Sequence, residues 1–409
     1  MKKRFISLVV AAALVGEVAA VSTPVTASAG TVAVKGDTKV QIYGFINYMA
    51  GWVKKMEGTQ AGFINMPDLK GTNDNTKFAS TTERTRLGLN FKNEDANLTG
   101  KFEGDFVGGT FRLRRAFVKH QFDNFYVLIG QEWGIEEVHR FSDAKNSPAG
   151  FNGHTRMPQV QIGTNLDLNG ATLGLALALE DKDYMGNGKI VVKGADNGIP
   201  YTHTYYIGLK KRETMPGIAA RANLGINTGF GNPAQVYAWG LAEPVKINVP
   251  GTYTDPSLIK EKSEAPVVFG AGFSLPVSMV TVQSEYIYGK GTNKFAGLTA
   301  YNDDIPSYYA DNNGNVKANK FNAFNIEAKV APMPNVSVAG GYDYLKFTKN
   351  VPGGYDKPKV ETYFGNIAYN TTKYTKLVLE WDHVKGETEG NNSSSVDGNM
   401  YWLSYTYSF

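Results

Sequence analysis

Tyr401-Trp402-Leu403-Ser404-Tyr405-Thr406-Tyr407-Ser408-Phe409 is the stretch that decides the fold. Positions 401, 403, 405, 407 and 409 are Tyr, Leu, Tyr, Tyr and Phe. A strand turns successive side chains to opposite sides, so these five form one apolar, aromatic face. In a soluble protein, fraying of such a terminal strand would expose five large side chains to water. A membrane barrel needs that face, because lipid lies outside its closing strand and water inside.

The other end of the chain agrees. Lys2, Lys3 and Arg4 precede Phe5 to Val15, a run that is apolar except for Ser7, and Ala27-Ser28-Ala29 offers a small-residue cleavage site before Gly30. This pattern predicts a secretory signal peptide over residues 1–29, with cleavage at 29/30 and alternatives at 19/20 or 20/21. The apolar run is shorter than the roughly 20 residues a spanning helix needs, and no later segment approaches that length. A membrane protein without such segments has to be a closed barrel, since nothing else satisfies its backbone in lipid. A secreted soluble β-protein is the alternative reading.

Composition narrows the chemistry. The chain has no cysteine, which excludes a disulfide framework, thiolate metal sites and thiol catalysis. Its 23 Tyr, 22 Phe and 45 Gly suit aromatic girdles, strands and many turns. Loss of residues 1–29 removes Lys2, Lys3, Arg4 and Glu17, leaving 39 Lys and Arg against 37 Asp and Glu. A balance near +2 gives no general attraction for polyanions, so nucleic acid is not an implied partner.

Reading on for period-2 alternation predicts sixteen strands. They are placed at 39–53, 83–92, 98–106, 111–122, 125–133, 158–168, 171–181, 201–211, 218–228, 266–275, 279–290, 320–330, 336–347, 360–370, 374–385 and the terminal segment. Leu87, Leu89 and Phe91 share one face opposite Arg86, Gly88 and Asn90; Leu98, Gly100, Phe102, Gly104 and Phe106 oppose Thr99, Lys101, Glu103 and Asp105. Asn169-Gly170 is a strong two-residue hairpin signal because both positions accept positive φ. Leu173, Leu175, Leu177 and Leu179 follow it with a lipid-like face. Two places are open. Val236-Tyr237-Ala238-Trp239 either extends a hairpin above the membrane or adds strands, and alternation fails between Arg112 and Ala116, where a bulge would explain it. An even strand count puts both termini at one end, the periplasmic one. About nine residues separate the expected cleavage site from the first strand, so residues 30–409 are expected to be one barrel domain.

Thr85-Arg86-Leu87-Gly88-Leu89-Asn90-Phe91-Lys92, Arg115-Ala116-Phe117-Val118 and Leu128-Ile129-Gly130-Gln131 resemble, in this order, blocks of the general Gram-negative porins, and the ending Tyr405, Tyr407, Phe409 resembles their assembly signal. The resemblance implies an all-β, sixteen-stranded transmembrane barrel in the outer membrane, passing small hydrophilic solutes and ions by diffusion. It implies a homotrimer in a bilayer with lipopolysaccharide, no cofactor, and a third outer loop folded inward. That loop would be 134–156, carrying Glu136, Glu137, His139, Arg140 and Asp143. Facing it would be Arg84, Arg86, Lys101, Arg112, Arg114, Arg115, Lys119 and Arg156, with Arg86 and Arg115 placed by the family blocks. Opposed charges across a narrow aqueous gap orient dipolar solutes and tune ion preference. The bland reading of any one of them is a solvated lumen charge. Gly44, Gly100 and Gly104 would permit close approach between barrels.

Two rival functions differ in class. A substrate-specific uptake channel for sugars or small organic acids would stack aromatic rings along its bore, for which Tyr126, Phe117 and Trp402 are candidates. A barrel lipase or protease needs a nucleophile and base held together at one rim, and no sequence block nominates that pair. His120, His139, His154, His203 and His383 lie apart, without metal-ligand spacing, so no metal site is expected.

Overall fold

The computed structural model describes residues 31–35, 37–57, 66–67, 76–136, 141, 156–181, 188–196, 199–207, 216–250, 259–292, 308–310, 316–348, 356–389 and 395–409. The expected signal segment lies outside them. The main strands are β1 (Thr38–Lys54), β2 (Arg86–Asn93), β3 (Leu98–Asp105), β4 (Arg112–Gln121), β5 (Tyr126–Trp133), β6 (Arg156–Asp167), β7 (Ala171–Glu180) and β8 (Gly217–Ile226). They continue with β9 (Ala234–Ala242), β10 (Val267–Val277), β11 (Val280–Lys290), β12 (Lys320–Met333), β13 (Val336–Phe347), β14 (Asp356–Asn370), β15 (Thr375–Glu389) and β16 (Ser395–Ser408). Each pairs antiparallel with the next, and β16 returns to β1 from Phe45↔Ser408 to Lys54↔Asn399, closing a sixteen-stranded barrel. Two shorter segments complete the wall. Thr76–Thr81 continues the line of β2 beside the upper half of β1, and Thr31–Lys35 lies along the lower edge of β1, beyond the reach of β16.

Closure rests on the last residue. Phe409 N donates to Gly44 O at 3.0 Å, and Gly44 N donates to Phe409 O at 3.2 Å. The odd-numbered terminal side chains point outward as the alternation requires: Tyr401, Tyr405 and Tyr407 are all exposed, while Trp402 and Ser404 between them are buried. Short turns share the Phe409 end, and the long connections lie at the other. Asn169 and Gly170 both take positive φ, at 56° and 103°, as a tight hairpin demands.

The outward surface is apolar. Ile42, Ile46, Leu87, Val118, Ile129, Leu177 and Ile367 are among its exposed side chains. Phe78, Trp52, Tyr401 and Trp381 sit side by side in register near the loop end, one arc of an aromatic girdle. Such a surface is stable only against hydrocarbon. This is a transmembrane barrel.

The structure corrects one strand and one inference about the surface. The segment expected as the eighth crossing, near 201–211, instead lies in a separate hairpin, Ile199–Ile207 against Gly188–Asp196, and β7 pairs directly with β8. The missing crossing is β9, which holds the Val236-Tyr237-Ala238-Trp239 stretch. Outward positions in β9 are Ala234, Val236, Ala238, Gly240 and Ala242, an unbroken apolar row, whereas His203 would interrupt the same row in 201–207. One strand lost and one gained keeps the count at sixteen. Pro216-Gly217, between the strands expected at 201–211 and 218–228, therefore stands at the loop end and not in a short turn joining two crossings. Gly44 and Gly104 do not offer flat docking sites either: a Cβ at Gly44 would meet the Phe409 ring, and one at Gly104 the Phe111 ring.

Candidate pore constriction

The loss of alternation in β4 is a bulge. Glu103 pairs with Arg115 and Gly104 with Leu113, so Arg114 is the extra residue. A bulge re-aims side chains. Here it puts consecutive arginines on the same, inner side. Arg114 reaches Glu103 (3.2 Å) and Asp105, while Arg115 reaches Glu132. Arg112 forms a two-pronged pair with Asp105, 2.9 Å at both contacts. Arg86, from β2, stands 3.4 Å from Glu103, whose other oxygen accepts the Tyr43 hydroxyl at 2.7 Å.

Arg156 opens β6 and lays its guanidinium on Trp133, 4.7 Å from the ring centroid, with Arg114 near the same ring at 5.6 Å. Arg86, Arg112 and Arg114 are its electrostatic neighbours. Two like charges about 4 Å apart repel by about 4 kcal/mol at an effective dielectric near 20. Five guanidiniums stand together because Glu103 and Asp105, 3% and 1% exposed, are interleaved among them. Arg84, in the break between 76–81 and β2, donates to Met49 Sδ at 2.9 Å.

Cations in this cluster and beside it lie on rings. Lys101 stands 5.0 Å from the Tyr43 centroid, Arg86 5.0 Å from Phe45, Arg115 5.5 Å from Phe117 and Lys119 4.0 Å from Tyr126. Each contact is attractive through the ring quadrupole and holds a long side chain against the wall. Tyr126 and Phe117 are thus bases for cations. Trp402, on β16 beside β1, is buried at 2% exposure.

The inward segment after β5 is described at three points. Ile135 N donates to Glu180 Oε1 at 3.2 Å and Ile135 O accepts from Arg221 at 3.0 Å. Glu136 is 3% exposed, its carboxylate folded back over Gly134. Phe141 has crossed the lumen: its N donates to Glu327 Oε2 on β12 at 2.8 Å, and its O accepts from Asn366 on β14 at 3.0 Å. Glu137 and Asp143 lie outside the described residues.

The structure therefore brings Arg86, Arg112, Arg114, Arg115 and Arg156 together, with Arg84 and Lys101 nearby. Carboxylates of the wall itself complete the site. Glu103, Asp105 and Glu132 hold the arginines, and Glu285, Glu327, Asp343, Glu380 and Asp382 line the opposite inner wall. The signal for these was present, since each sits at an inward position of a regular alternation. With the two wall side chains removed (Glu327→Ala with Asn366→Ala), Phe141 loses both backbone partners. Single-channel recordings of that variant are expected to show open-state current noise above wild type.

No protein-family model matches the chain, and neither does any curated protein sequence. Solved structures do. The outer-membrane channel DcaP of Acinetobacter baumannii is 21% identical, with a TM-score of 0.66, covering 93% of this chain and 100% of that one. The anion-selective porin from Comamonas acidovorans is 14% identical, TM-score 0.53, covering 91% and 100%. Salmonella typhi OmpF is 13% identical, TM-score 0.52, covering 93% and 100%. The chain has the fold of the Gram-negative outer-membrane porins.

Proposed function

We propose that this protein is an outer-membrane porin through which small hydrophilic solutes and ions diffuse passively, made as residues 30–409 after removal of a signal peptide. The observation that carries this reading is the sidedness of one closed sheet, apolar outward and charged inward, with a segment crossing its lumen. It has no enzymatic role and no cofactor in this reading, and its surroundings are lipid and lipopolysaccharide. Assembly as a homotrimer is part of the proposal through the resemblance to general porins and the trimer form of a structural neighbour, Vibrio cholerae OmpT. Purified protein in planar bilayers is expected to give ohmic conductance. Strong, saturable block by one sugar or organic acid would favour the substrate-specific alternative, and a closed barrel would defeat both.

The arginine arc favours anions, and the Comamonas acidovorans porin of similar fold is anion-selective. Arg86 and Arg115 are the constriction residues of this reading, with Arg84, Lys101 and Arg156 beside them and Glu136, Glu137 and Asp143 as the loop's contribution. Arg86→Gln with Arg115→Gln is expected to lower the anion-to-cation permeability ratio about twofold or more, because ring charges set the local ion concentration. A reversal-potential measurement across a salt gradient reads this directly.

A further inference from the structure

The inner wall is not evenly wet. On β12 to β16 the inward apolar side chains are closed off from solvent: Phe321 is 1% exposed, Ala323 2%, Leu345 0%, Val384 0% and Trp402 2%. They belong to one apolar cluster that continues through β9 to β11 and the upper half of β1, inside the barrel. The carboxylates of the same wall are as inaccessible, with Glu327 at 1% and Asp382 at 0%. Across the lumen Glu103, Asp105, Arg114 and Glu132 are buried too, but other inward side chains stay open to solvent. The Arg86 and Arg115 side chains retain 26% and 17% exposure, and Lys101, Lys119 and Gln161 are also partly open. Phe141, the described residue of the crossing loop, rests on the closed wall and not on the arginines.

We propose that the aqueous route through the constriction is confined to the sector of β2 to β6, and that the upper inner wall of β12 to β16 is a dry internal core which permeating solutes never touch. The inference rests on the porin reading. Apolar side chains packed to near-zero exposure exclude water as any protein core does. Carboxylates closed off within that wall act on the route only at a distance, so Lys101, Arg115 and Lys119 govern which ions enter. The lumen's many acids then do not make it a cation channel.

The absence of cysteine gives a clean background for the test. Single variants Lys101→Cys, Ala323→Cys and Ser404→Cys, each checked for the folded barrel by its heat-dependent gel mobility, are reconstituted into vesicles. They are then treated with a small charged, membrane-impermeant thiosulfonate reagent, and labelling is read by mass. Lys101→Cys is expected to react fully, and the two far-wall cysteines at least about tenfold more slowly, through local opening alone. Ser404→Cys, 4% exposed in wild type and nearly isosteric, keeps the comparison if Ala323→Cys does not fold. Equal labelling of the two walls overturns the proposal, as does an unreactive Lys101→Cys. Labelling is independent of current, so a barrel that fails to conduct removes the porin reading while the mass data still say which wall is wet.

Discussion

Deletion of Phe409 is expected to reduce the amount of assembled barrel in the membrane about tenfold or more. Its backbone supplies the final pair of hydrogen bonds in the β1–β16 seam, to Gly44 N and O. Without them Gly44 keeps an unpaired donor and acceptor at the edge of the bilayer, and each such group costs several kcal/mol in hydrocarbon. The ring adds a second effect by covering Gly44, where a Cβ would come within 2.7 Å of Phe409 Cζ and 2.5 Å of Arg86 O. Gly44→Val should therefore reproduce part of the deletion phenotype by expelling the ring and straining the seam. Phe409→Leu keeps the backbone pair and should fall between wild type and deletion. Fractionation of outer membranes, with the folded species scored by heat-dependent mobility, separates these outcomes. Equal yields for the deletion and wild type would mean that the seam closes without its last residue.

The architecture was legible in the sequence because a barrel in lipid obeys a simple constraint on one face. Leu173, Leu175, Leu177 and Leu179 can point only to hydrocarbon, and Asn169-Gly170 before them fixes where the chain reverses. The one misplaced crossing shows the limit of that signal. Ile199–Ile207 alternates as regularly as a membrane strand, and only the identity of its row separates it from β9, whose small outward residues make a weaker hydropathy signal yet an uninterrupted one.

The site was legible in outline for the same reason. Arg86, Lys101, Glu103 and Asp105 fall at inward positions of strands whose other face is apolar. Their pairing was not legible. Arg114 and Arg115 are adjacent in sequence, so strict alternation would send one of them into lipid, and only the bulge opposite Glu103 and Gly104 resolves the conflict. Charges on a loop were expected to face the arginines. In the structure, wall carboxylates next to the arginines hold them, and the one described residue in the middle of the loop, Phe141, is on the far side.

That local pairing leads to the second large effect, at Asp105. This carboxylate is 1% exposed and takes two bonds from Arg112 and one from Arg114, which is itself buried. Removing one partner of a buried pair leaves the other charge uncompensated, at a cost of about 3–5 kcal/mol. Asp105→Ala is expected to lose stability in that range, read as a lower denaturant midpoint for the detergent-solubilised barrel. The Arg112 contact contributes little to it, since that side chain is 42% exposed and solvent screens the pair. The Arg114 contact carries most of the loss. Arg114→Leu in the Asp105→Ala background should therefore recover much of the stability, because it removes a buried guanidinium left with Glu103 as its one carboxylate, whereas Arg112→Leu in that background should recover little. The same cycle bears on transport. In Asp105→Ala one more guanidinium faces the lumen without its counter-charge, so anion preference should rise while stability falls. A stability loss rescued equally by either arginine substitution would place the buried charge pairing elsewhere in the arc.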